Sequence, residues 1–194
     1  IPVGLAGFDS TVNSYEYNPE KSKRLLAEAG YPNGEGMQEI TLSTTATYLD
    51  LCKYIQQQLG LLGIKVKIDV NPPAALREHI AQGKTQWFRG SWIADYPDAE
   101  NYLSLFYSKN HCPKGSNYTH FSSKEFDKLY EKAILETDSE KRLTLYKKMN
   151  AIIIEESPLV VLYYDQVLRF VQKNISRFES NPLNLLILKN VNKD

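Results

Sequence analysis

The chain has 194 residues, enough for one domain with a hydrophobic core or for one domain plus an appendage. Hydrophobic residues make up 42% and charged residues 24% of the chain, which is close to the average of soluble globular proteins and argues against disorder. Lys plus Arg and Asp plus Glu each total 23, so no net charge attracts nucleic acid or an anionic membrane surface. Partner recognition must therefore depend on local sites.

The chain begins at Ile1 and shows neither an apolar span of about 20 residues nor the pattern of a signal peptide. We therefore expect a processed or excised piece of a longer protein, whose missing leader says nothing about its compartment. The two cysteines, Cys52 and Cys112, allow at most one disulfide. Cys52 has apolar neighbours at helical spacing, so we expect a buried thiol there.

The first half of the chain alternates between predicted helices and strands. Asn18, Pro19 and Glu20 are typical of a helix start, with a capping side chain, a proline at the first position and an acid in the first turn. Because parallel strands need a crossover connection, the order of elements predicts a mixed, mostly parallel sheet flanked by helices. The expected elements are a helix over 18–30, a strand over 39–43, a helix over 48–62, a strand over 64–70 and a helix over 74–81.

The second half is predicted to be more helical. Ser122–Glu125 forms a capping box, and a further helix begins after Asp138 and ends before Ser157. Continuous apolar runs over 159–164 and 167–171 predict a return to β structure. The residues expected on buried helix faces are Leu25, Leu26 and Ala29, then Tyr48, Cys52, Ile55, Leu59 and Leu62, and finally Phe126, Leu129, Tyr130, Ala133, Ile134, Leu145, Met149, Ile152 and Ile153.

The most informative stretch, residues 90–103, leads from a third strand expected over 85–93 into a helix that is capped by Asp98 and runs to about residue 108. Trp92 and Tyr96 offer flat apolar faces with a polar edge, and Asp95 adds a fixed negative charge beside them. In open α/β sheets, ligands bind outside the carboxyl ends of the strands. The stretch therefore predicts a site for a cationic or zwitterionic small ligand, and it indicates recognition rather than catalysis.

Each residue of this stretch also has a structural explanation. Asp95 could end a strand or accept backbone hydrogen bonds in a turn, and Trp92 could belong to the core. Asp98 is explained as a helix cap and Glu100 as an acid in the first helical turn. A hydrolase or metal site built from Asp95, Asp98 and Glu100 is a rival hypothesis, but two of its three carboxylates have these simpler explanations.

The sequence carries no other motif for catalysis or for a cofactor. It has no glycine-rich phosphate loop, no Gly-x-Ser-x-Gly turn and no cysteine and histidine spacing of a zinc site. His111 beside Cys112 is the one feature that a nickel or haem receptor would use. The alternative is that these two residues lie in an ordinary exposed loop. We therefore assign no catalytic residue, no metal ligand and no cofactor.

Four segments of the chain share their order and spacing with one known family. They are Tyr17–Pro32, Gln58–Gly60 with Val66–Ile68, Trp92–Asp98 and Phe126–Leu129. They resemble the C-terminal half of the family 5 extracellular solute-binding proteins, the oligopeptide, dipeptide and nickel receptors of ABC importers. The resemblance covers nearly the whole chain.

The resemblance implies an α/β lobe of the periplasmic-binding-protein type II fold, from a two-lobed protein that traps its ligand by hinge closure. In the peptide-binding branch, the aspartate at the position of Asp95 pairs with the α-amino group of the peptide. One charge-assisted hydrogen bond of this kind fixes the register of an otherwise variable ligand. Trp92 would line a side-chain pocket, and Tyr96, Asn101 and Tyr118 are further candidates for ligand contact.

The same resemblance implies a setting for the chain. Residues 1–17 would arrive from the missing lobe, 18–157 would form the ligand-binding lobe, and 158–194 would be a β segment that returns toward the missing lobe. The parent protein would be periplasmic or extracellular, with or without a lipid anchor, and would bind short peptides and an ABC permease but no nucleic acid. The C-terminal runs would lack sheet partners, and an exposed strand edge would favour dimerisation.

Other functions stay open from the sequence alone. The parent protein could be a sensor or adaptor of the same fold, or a receptor for a non-peptide ligand such as a nickel chelate, haem or a sugar. A hydrolase that uses Asp95 and Asp98 is the third hypothesis.

Overall fold

A computed structural model describes residues 1–12, 15–181 and 185–193 of the chain, which form two compact units. The sheet unit comprises Asn13–Ser91 and Lys109–His120. The helical unit comprises Ile1–Val12, Trp92–Ser108 and Phe121–Asp194. Each unit therefore combines segments that are distant in sequence. The boundaries expected after residues 17 and 157 concern a longer protein and stay predictions.

The sheet unit contains the alternating elements expected in the first half of the chain. Its helices are α1 (Pro19–Glu28), α2 (Leu49–Gly60) and α3 (Pro73–Ala81), and its strands are β1 (Ile40–Thr44) and β2 (Val66–Val70). Short 3-10 helices cover Pro32–Gly34 and Ala46–Tyr48. The predicted order of these five main elements is confirmed.

The two strands β1 and β2 pair in parallel, with Ile40 opposite Val66. Helix α2 connects them, because parallel strands cannot be joined by a tight hairpin. Cys52 of α2 is fully buried and packs with Leu42 and Val66 in the core of this unit. The predicted parallel pairing and the predicted buried thiol are both confirmed.

Helix α1 begins as predicted but buries no residue. The Asn18 side chain caps it by accepting the Lys21 N–H at 2.9 Å. The stripe predicted at Leu25, Leu26 and Ala29 is not buried, and Leu25 is 48% exposed. Within the described chain, α1 contacts chiefly the short turn that follows it, which is too small to cover an apolar helix face.

The third strand predicted over 85–93 is wrong. This segment makes a single parallel bridge to β1, in which the Ser43 N–H donates to Trp87 O and the Arg89 N–H donates to Ser43 O, both at 3.0 Å. The pairing stops there because the chain leaves the sheet unit after Ser91. The segment therefore contacts the edge of the sheet at one residue, and Trp92 follows it in the chain without a full strand before it.

The turn after α1 and the turn after α2 approach each other so closely that both need glycine. Gly34 and Gly63 have φ angles of 74° and 82°. A Cβ at Gly63 would lie 1.8 Å from the carbonyl oxygen of Asn33, and a Cβ at Gly34 would lie 2.4 Å from the carbonyl oxygen of Gly63. Only glycine combines this backbone conformation with this approach.

The helical unit is built mainly from α4 (Glu100–Leu103), α5 (Lys124–Leu135) and α6 (Ser139–Glu156). A 3-10 helix over Ser104–Phe106 continues α4. A further 3-10 helix covers Ser108–Asn110, at the point where the chain passes into the sheet unit. Two short strands, β3 (Ile175–Ser176) and β4 (Asn192–Lys193), pair antiparallel. Among the described residues, no helix is both long and apolar enough to cross a bilayer.

The core of the helical unit lies between α4, α5 and α6. The cap predicted at Asp138 is confirmed, since its Oδ1 accepts two N–H groups of the first turn of α6. The capping box predicted over Ser122–Glu125 is wrong by one residue, because Ser123 caps α5 by accepting the Phe126 N–H on its Oγ. Ile134 was predicted on the buried face but is 57% exposed, because it lies about 80° around the helix from Phe126. The core residues are Ala99, Leu103, Phe106, Phe126, Tyr130, Ala133, Leu145, Tyr146, Met149 and Ile153.

The helix predicted from Asp98 to about residue 108 is shorter than expected. Its α-helical part ends at Leu103, and Tyr107 is already extended. Ser108 instead binds the Asp127 carboxylate of α5, with its N–H donating at 3.1 Å and its hydroxyl donating at 2.5 Å.

The β structure predicted for the apolar runs over 159–164 and 167–171 is wrong. Nearly all residues of both runs are exposed, Phe170 to 98%, and neither run forms a strand. A strand requires a neighbour for its backbone hydrogen bonds, and in this part of the described chain only β3 and β4 pair. Dimerisation through an exposed edge stays a prediction.

Candidate functional site

The side chain of Asn101 organises the loop over 92–99, which leads into α4. Asn101 is 5% exposed, so its carboxamide needs partners within the protein. Its Oδ1 accepts the Trp92 indole N–H at 2.7 Å and the Asp95 backbone N–H at 3.4 Å. Its Nδ2 donates to Asp95 Oδ2, also at 3.4 Å. One buried amide therefore contacts both residues that the sequence favoured for ligand binding.

Asp95 and Trp92 remain accessible beside this amide. Asp95 is exposed and Trp92 is half-buried. Within the described chain, the Asp95 carboxylate accepts from the Asn101 side chain and not from turn backbone, and it forms no ion pair. Trp92 lies outside the two core clusters. Among the described residues, Asp95 is therefore not an acceptor of backbone hydrogen bonds in a turn, and Trp92 is not a residue of the core.

Glu100 joins the exposed loop to the helical core. Its carboxylate accepts the hydroxyl of Tyr96 on one oxygen and the hydroxyl of Tyr130, a buried residue of α5, on the other. Burial, and then the bond to Glu100, raise the pKa of Tyr130. The Glu100 bond is the largest cause that raises the pKa of Tyr96, while Asn101 acts in the opposite direction. Both hydroxyls are therefore protonated donors at neutral pH.

Asp98 fixes the loop to α6. Its Oδ1 accepts the Glu100 N–H at 2.9 Å, and its Oδ2 lies 3.5 Å from Nη2 of Arg142. Burial, followed by the influence of the nearby Asp98 carboxylate, raises the pKa of Tyr146. Asp98 therefore acts at the start of α4, as predicted, and its carboxylate is fully engaged there.

The three carboxylates of this stretch have different surroundings. Asp98 and Glu100 bind side chains of α5 and α6, whereas Asp95 is exposed at the loop surface. An acid and base pair would need two carboxylates that both reach a substrate, and two of these three are occupied by structural contacts. A single exposed carboxylate beside aromatic rings is suited to bind an ammonium group by a charge-assisted hydrogen bond.

Four of the five predicted site residues are joined by hydrogen bonds: Trp92, Asp95 and Tyr96 in the loop, and Asn101 in α4. Asn101 was predicted as a ligand contact but is buried. Tyr118 belongs to the sheet unit, where it is half-buried. The ligand contacts of all five residues stay predictions.

The residues of α5 and α6 that hold this loop were not expected from the sequence. Tyr130 was expected as a core residue only, and neither Tyr146 nor Arg142 was singled out. A signal was present, because a buried tyrosine hydroxyl usually needs a hydrogen-bond partner. The tyrosines on the apolar faces of α5 and α6 therefore indicated nearby acceptors, although the sequence does not show which ones.

The two neighbours His111 and Cys112 form a separate cluster in the sheet unit. Cys112 Sγ lies 3.0 Å from Nε2 of His120, and the His111 ring stacks on the His120 ring with 4.9 Å between centroids. Both cysteines of the chain are free thiols. No group of three or more metal-ligating side chains comes together in the part of the chain that the structure describes. The cluster is a hydrogen-bonded and stacked loop.

Comparison with known proteins places this geometry in a family context. Residues 1–113 match the family model of the bacterial extracellular solute-binding proteins, family 5 (middle part). The dipeptide-binding protein of Escherichia coli is 26% identical over 195 residues, an alignment that covers 98% of this chain and 36% of that protein. The chain therefore spans about a third of the length of this relative.

Two solved structures share the fold. The periplasmic binding protein DppA from Helicobacter pylori, in complex with the peptide STSA, has a TM-score of 0.74 at 31% identity, over 81% of this chain and 31% of that one. The oligopeptide-binding protein AppA from Bacillus subtilis, in complex with a nonapeptide, has a TM-score of 0.75 at 26% identity, over 95% of this chain and 39% of that one. The predicted α/β lobe of the periplasmic-binding-protein type II fold is confirmed. These relatives are binding proteins, which contradicts the hydrolase hypothesis.

Proposed function

This chain belongs to the bacterial extracellular solute-binding proteins, family 5, and from that premise we propose that it is the ligand-binding lobe of a receptor that captures short peptides for an ABC importer. The observation that carries the proposal is Asp95, an exposed carboxylate that Asn101 holds together with the Trp92 indole. Asp95 binds the α-amino group of the peptide, and Trp92 forms a wall of the first side-chain pocket.

The chemistry of Asp95 fits a ligand whose side chains vary. Every peptide with a free amino terminus offers the same ammonium group, so one carboxylate can fix the register of many sequences. A hydrogen bond between charged partners is roughly twice as strong as one between neutral groups. The remaining affinity comes from contacts to the peptide backbone and from roomy pockets, to which Tyr96 contributes apolar ring surface with a hydroxyl edge. Tyr118 of the sheet unit stays a candidate contact.

The printed descriptions of the relatives support a peptide ligand. One relative is a dipeptide-binding protein, one structure contains the peptide STSA and another contains a nonapeptide. These ligands differ in length and share a peptide backbone. We therefore propose peptides as the ligand class, without a fixed length.

The setting of the full-length protein follows from the same family. We propose that the full-length protein is periplasmic or extracellular and that it delivers its ligand to an ABC permease. A lipid anchor would hold it at the membrane surface if the protein is a lipoprotein. Residues 18–157 would form the lobe, with 1–17 and 158–194 as its connections to the remainder of the receptor. The peptide would be enclosed between this lobe and that remainder.

The proposal is tested by calorimetric titration of the full-length protein with matched short peptides. Each sequence is used once with a free and once with an acetylated amino terminus, so that only the ammonium group differs. We expect the free peptides to bind about tenfold or more tightly, as a hydrogen bond to a charged group predicts. Equal affinities for the two forms would contradict the anchor, and failure of both to bind would contradict a peptide ligand.

A further inference from the structure

We infer that Asn101 is a positioning residue, which orients the Asp95 carboxylate and the Trp92 indole as one unit, and that it does not itself contact the ligand. The inference rests on the proposed function, since it concerns the anchor of the peptide amino group. It assigns to Asn101 a task different from the ligand contact expected from the sequence.

Burial is the first observation that supports this inference. Asn101 is 5% exposed, whereas Asp95 is exposed and Trp92 half-buried. A ligand contact needs surface that a ligand can reach, and Asn101 has almost none. The residue therefore lies behind the groups that a ligand would meet.

The use of the carboxamide is the second observation. Its oxygen accepts the Trp92 indole N–H at 2.7 Å and the Asp95 backbone N–H at 3.4 Å. Its nitrogen donates to Asp95 Oδ2 at 3.4 Å. Both ends of the amide are thus engaged, and its acceptor and donor sides match their partners in the only orientation that satisfies all three contacts.

The position of Asn101 in the chain gives the amide a firm base. Its backbone N–H donates to Asp98 O at 3.2 Å, and its carbonyl oxygen accepts the Ser104 hydroxyl at 3.0 Å. The neighbouring Glu100 binds Tyr130 in the core. Asn101 is therefore fixed through α4, and its side chain holds Trp92 and the exposed Asp95 in place. A binding group held by such supporting contacts loses less freedom when the ligand binds.

The test uses Asn101→Leu in the full-length protein, because leucine has nearly the shape of asparagine but neither its donor nor its acceptor. We expect the preference for free over acetylated peptides to fall roughly five- to tenfold, the equivalent of one neutral hydrogen bond. Affinity for acetylated peptides should fall less than that for free peptides, because they lose only the oriented Trp92 wall. The indole proton resonance of Trp92, assigned by its loss in Trp92→Phe, should move upfield because its hydrogen bond is lost.

A matched control separates positioning from general destabilisation. Asn117 is also fully buried, and it bonds within the loop over 110–119 of the sheet unit. Asn117→Leu should lower stability but leave the peptide preference and the Trp92 resonance as in the wild type. If Asn101→Leu does not fold, Asn101→Ala, which leaves room for water, serves in its place.

The outcomes distinguish this inference from the proposed function. A wild-type protein that binds free and acetylated peptides equally contradicts the proposed function, and the inference falls with it. A clear wild-type preference that Asn101→Leu or Asn101→Ala retains within about twofold, with an unmoved Trp92 resonance, overturns the inference alone. A preference that falls equally in Asn117→Leu also overturns it, since general destabilisation would then explain the effect.

Discussion

Replacement of Asp95 by asparagine in the full-length protein is expected to weaken the binding of peptides with a free amino terminus by about 10- to 150-fold. This corresponds to roughly 1.5–3 kcal/mol, the usual value of a hydrogen bond to a charged group. Asparagine keeps the size of the side chain and an oxygen that can face Asn101, so the loop should keep its shape. Peptides with an acetylated amino terminus should lose less than about twofold. Calorimetric titration of both peptide forms measures the difference.

Asp98→Asn is the matched control for this experiment. Asp98 lies three positions from Asp95 in the sequence, but its carboxylate binds the Glu100 N–H and Arg142. Its replacement should therefore weaken the attachment of the loop to α6 and reduce stability, while the preference for free amino termini remains. An equal loss of preference in both variants would contradict a specific role of Asp95. An equal loss of affinity for free and acetylated peptides in Asp95→Asn would contradict the anchor itself.

Replacement of Phe126 by alanine is expected to have the largest effect on stability, about 3–5 kcal/mol. Phe126 is 0% exposed, and its ring packs edge-on against Phe106 and Phe121, with centroid distances of 6.4 and 5.7 Å. It also stacks on Tyr130, the residue that binds Glu100. The cavity left by the ring therefore borders Tyr130, whose bond to Glu100 holds the candidate site. Hydrogen exchange of the α5 amides in the full-length protein measures this free energy.

Ile134→Ala in the same helix is the control for the loss of core packing. Ile134 is apolar and 57% exposed, so its truncation should change the free energy of unfolding by less than about 0.5 kcal/mol. Similar losses for the two variants would show that the buried face of α5 is assigned incorrectly. A small loss for Phe126→Ala would show that the core collapses around the missing ring at little cost.

The elements that the sequence predicted well are those with local causes. Asn18 and Asp138 cap their helices through hydrogen bonds within three residues, and this spacing is visible in the sequence, although the cap of α5 is Ser123 and not Ser122. The alternation of β2 and the apolar stripe of α2 likewise come from neighbouring residues, and together they imply a parallel pair. These features needed no knowledge of the remaining fold.

The elements that the sequence predicted poorly depend on partners that are distant in the chain. The segment over 85–93 has strand-like residues but meets β1 at one bridge, and the apolar run over 159–164 has no strand beside it in the described chain. The predicted helix over 98–108 ends early, and Ser108 instead binds Asp127 of another helix. Composition and periodicity do not contain this information.

The candidate site shows the same division. The cluster of Trp92, Asp95 and Tyr96 was visible because the three residues are close in the sequence, and their family resemblance gave Asp95 a role. That Asn101 is buried, and that Glu100 binds Tyr130 of α5, required the packing of helices far apart in the sequence. The sequence therefore predicts which groups would face a ligand, and the structure adds which groups hold them.

The central claim is that Asp95 receives the amino terminus of a peptide. A crystal structure of the full-length protein with a bound tetrapeptide tests this claim most directly. We predict an Asp95 carboxylate oxygen at about 2.7–2.9 Å from the peptide amino nitrogen, the distance of a charge-assisted hydrogen bond. A bound peptide whose amino nitrogen lies more than about 4 Å from both oxygens, beyond the range of an ion pair, would contradict it.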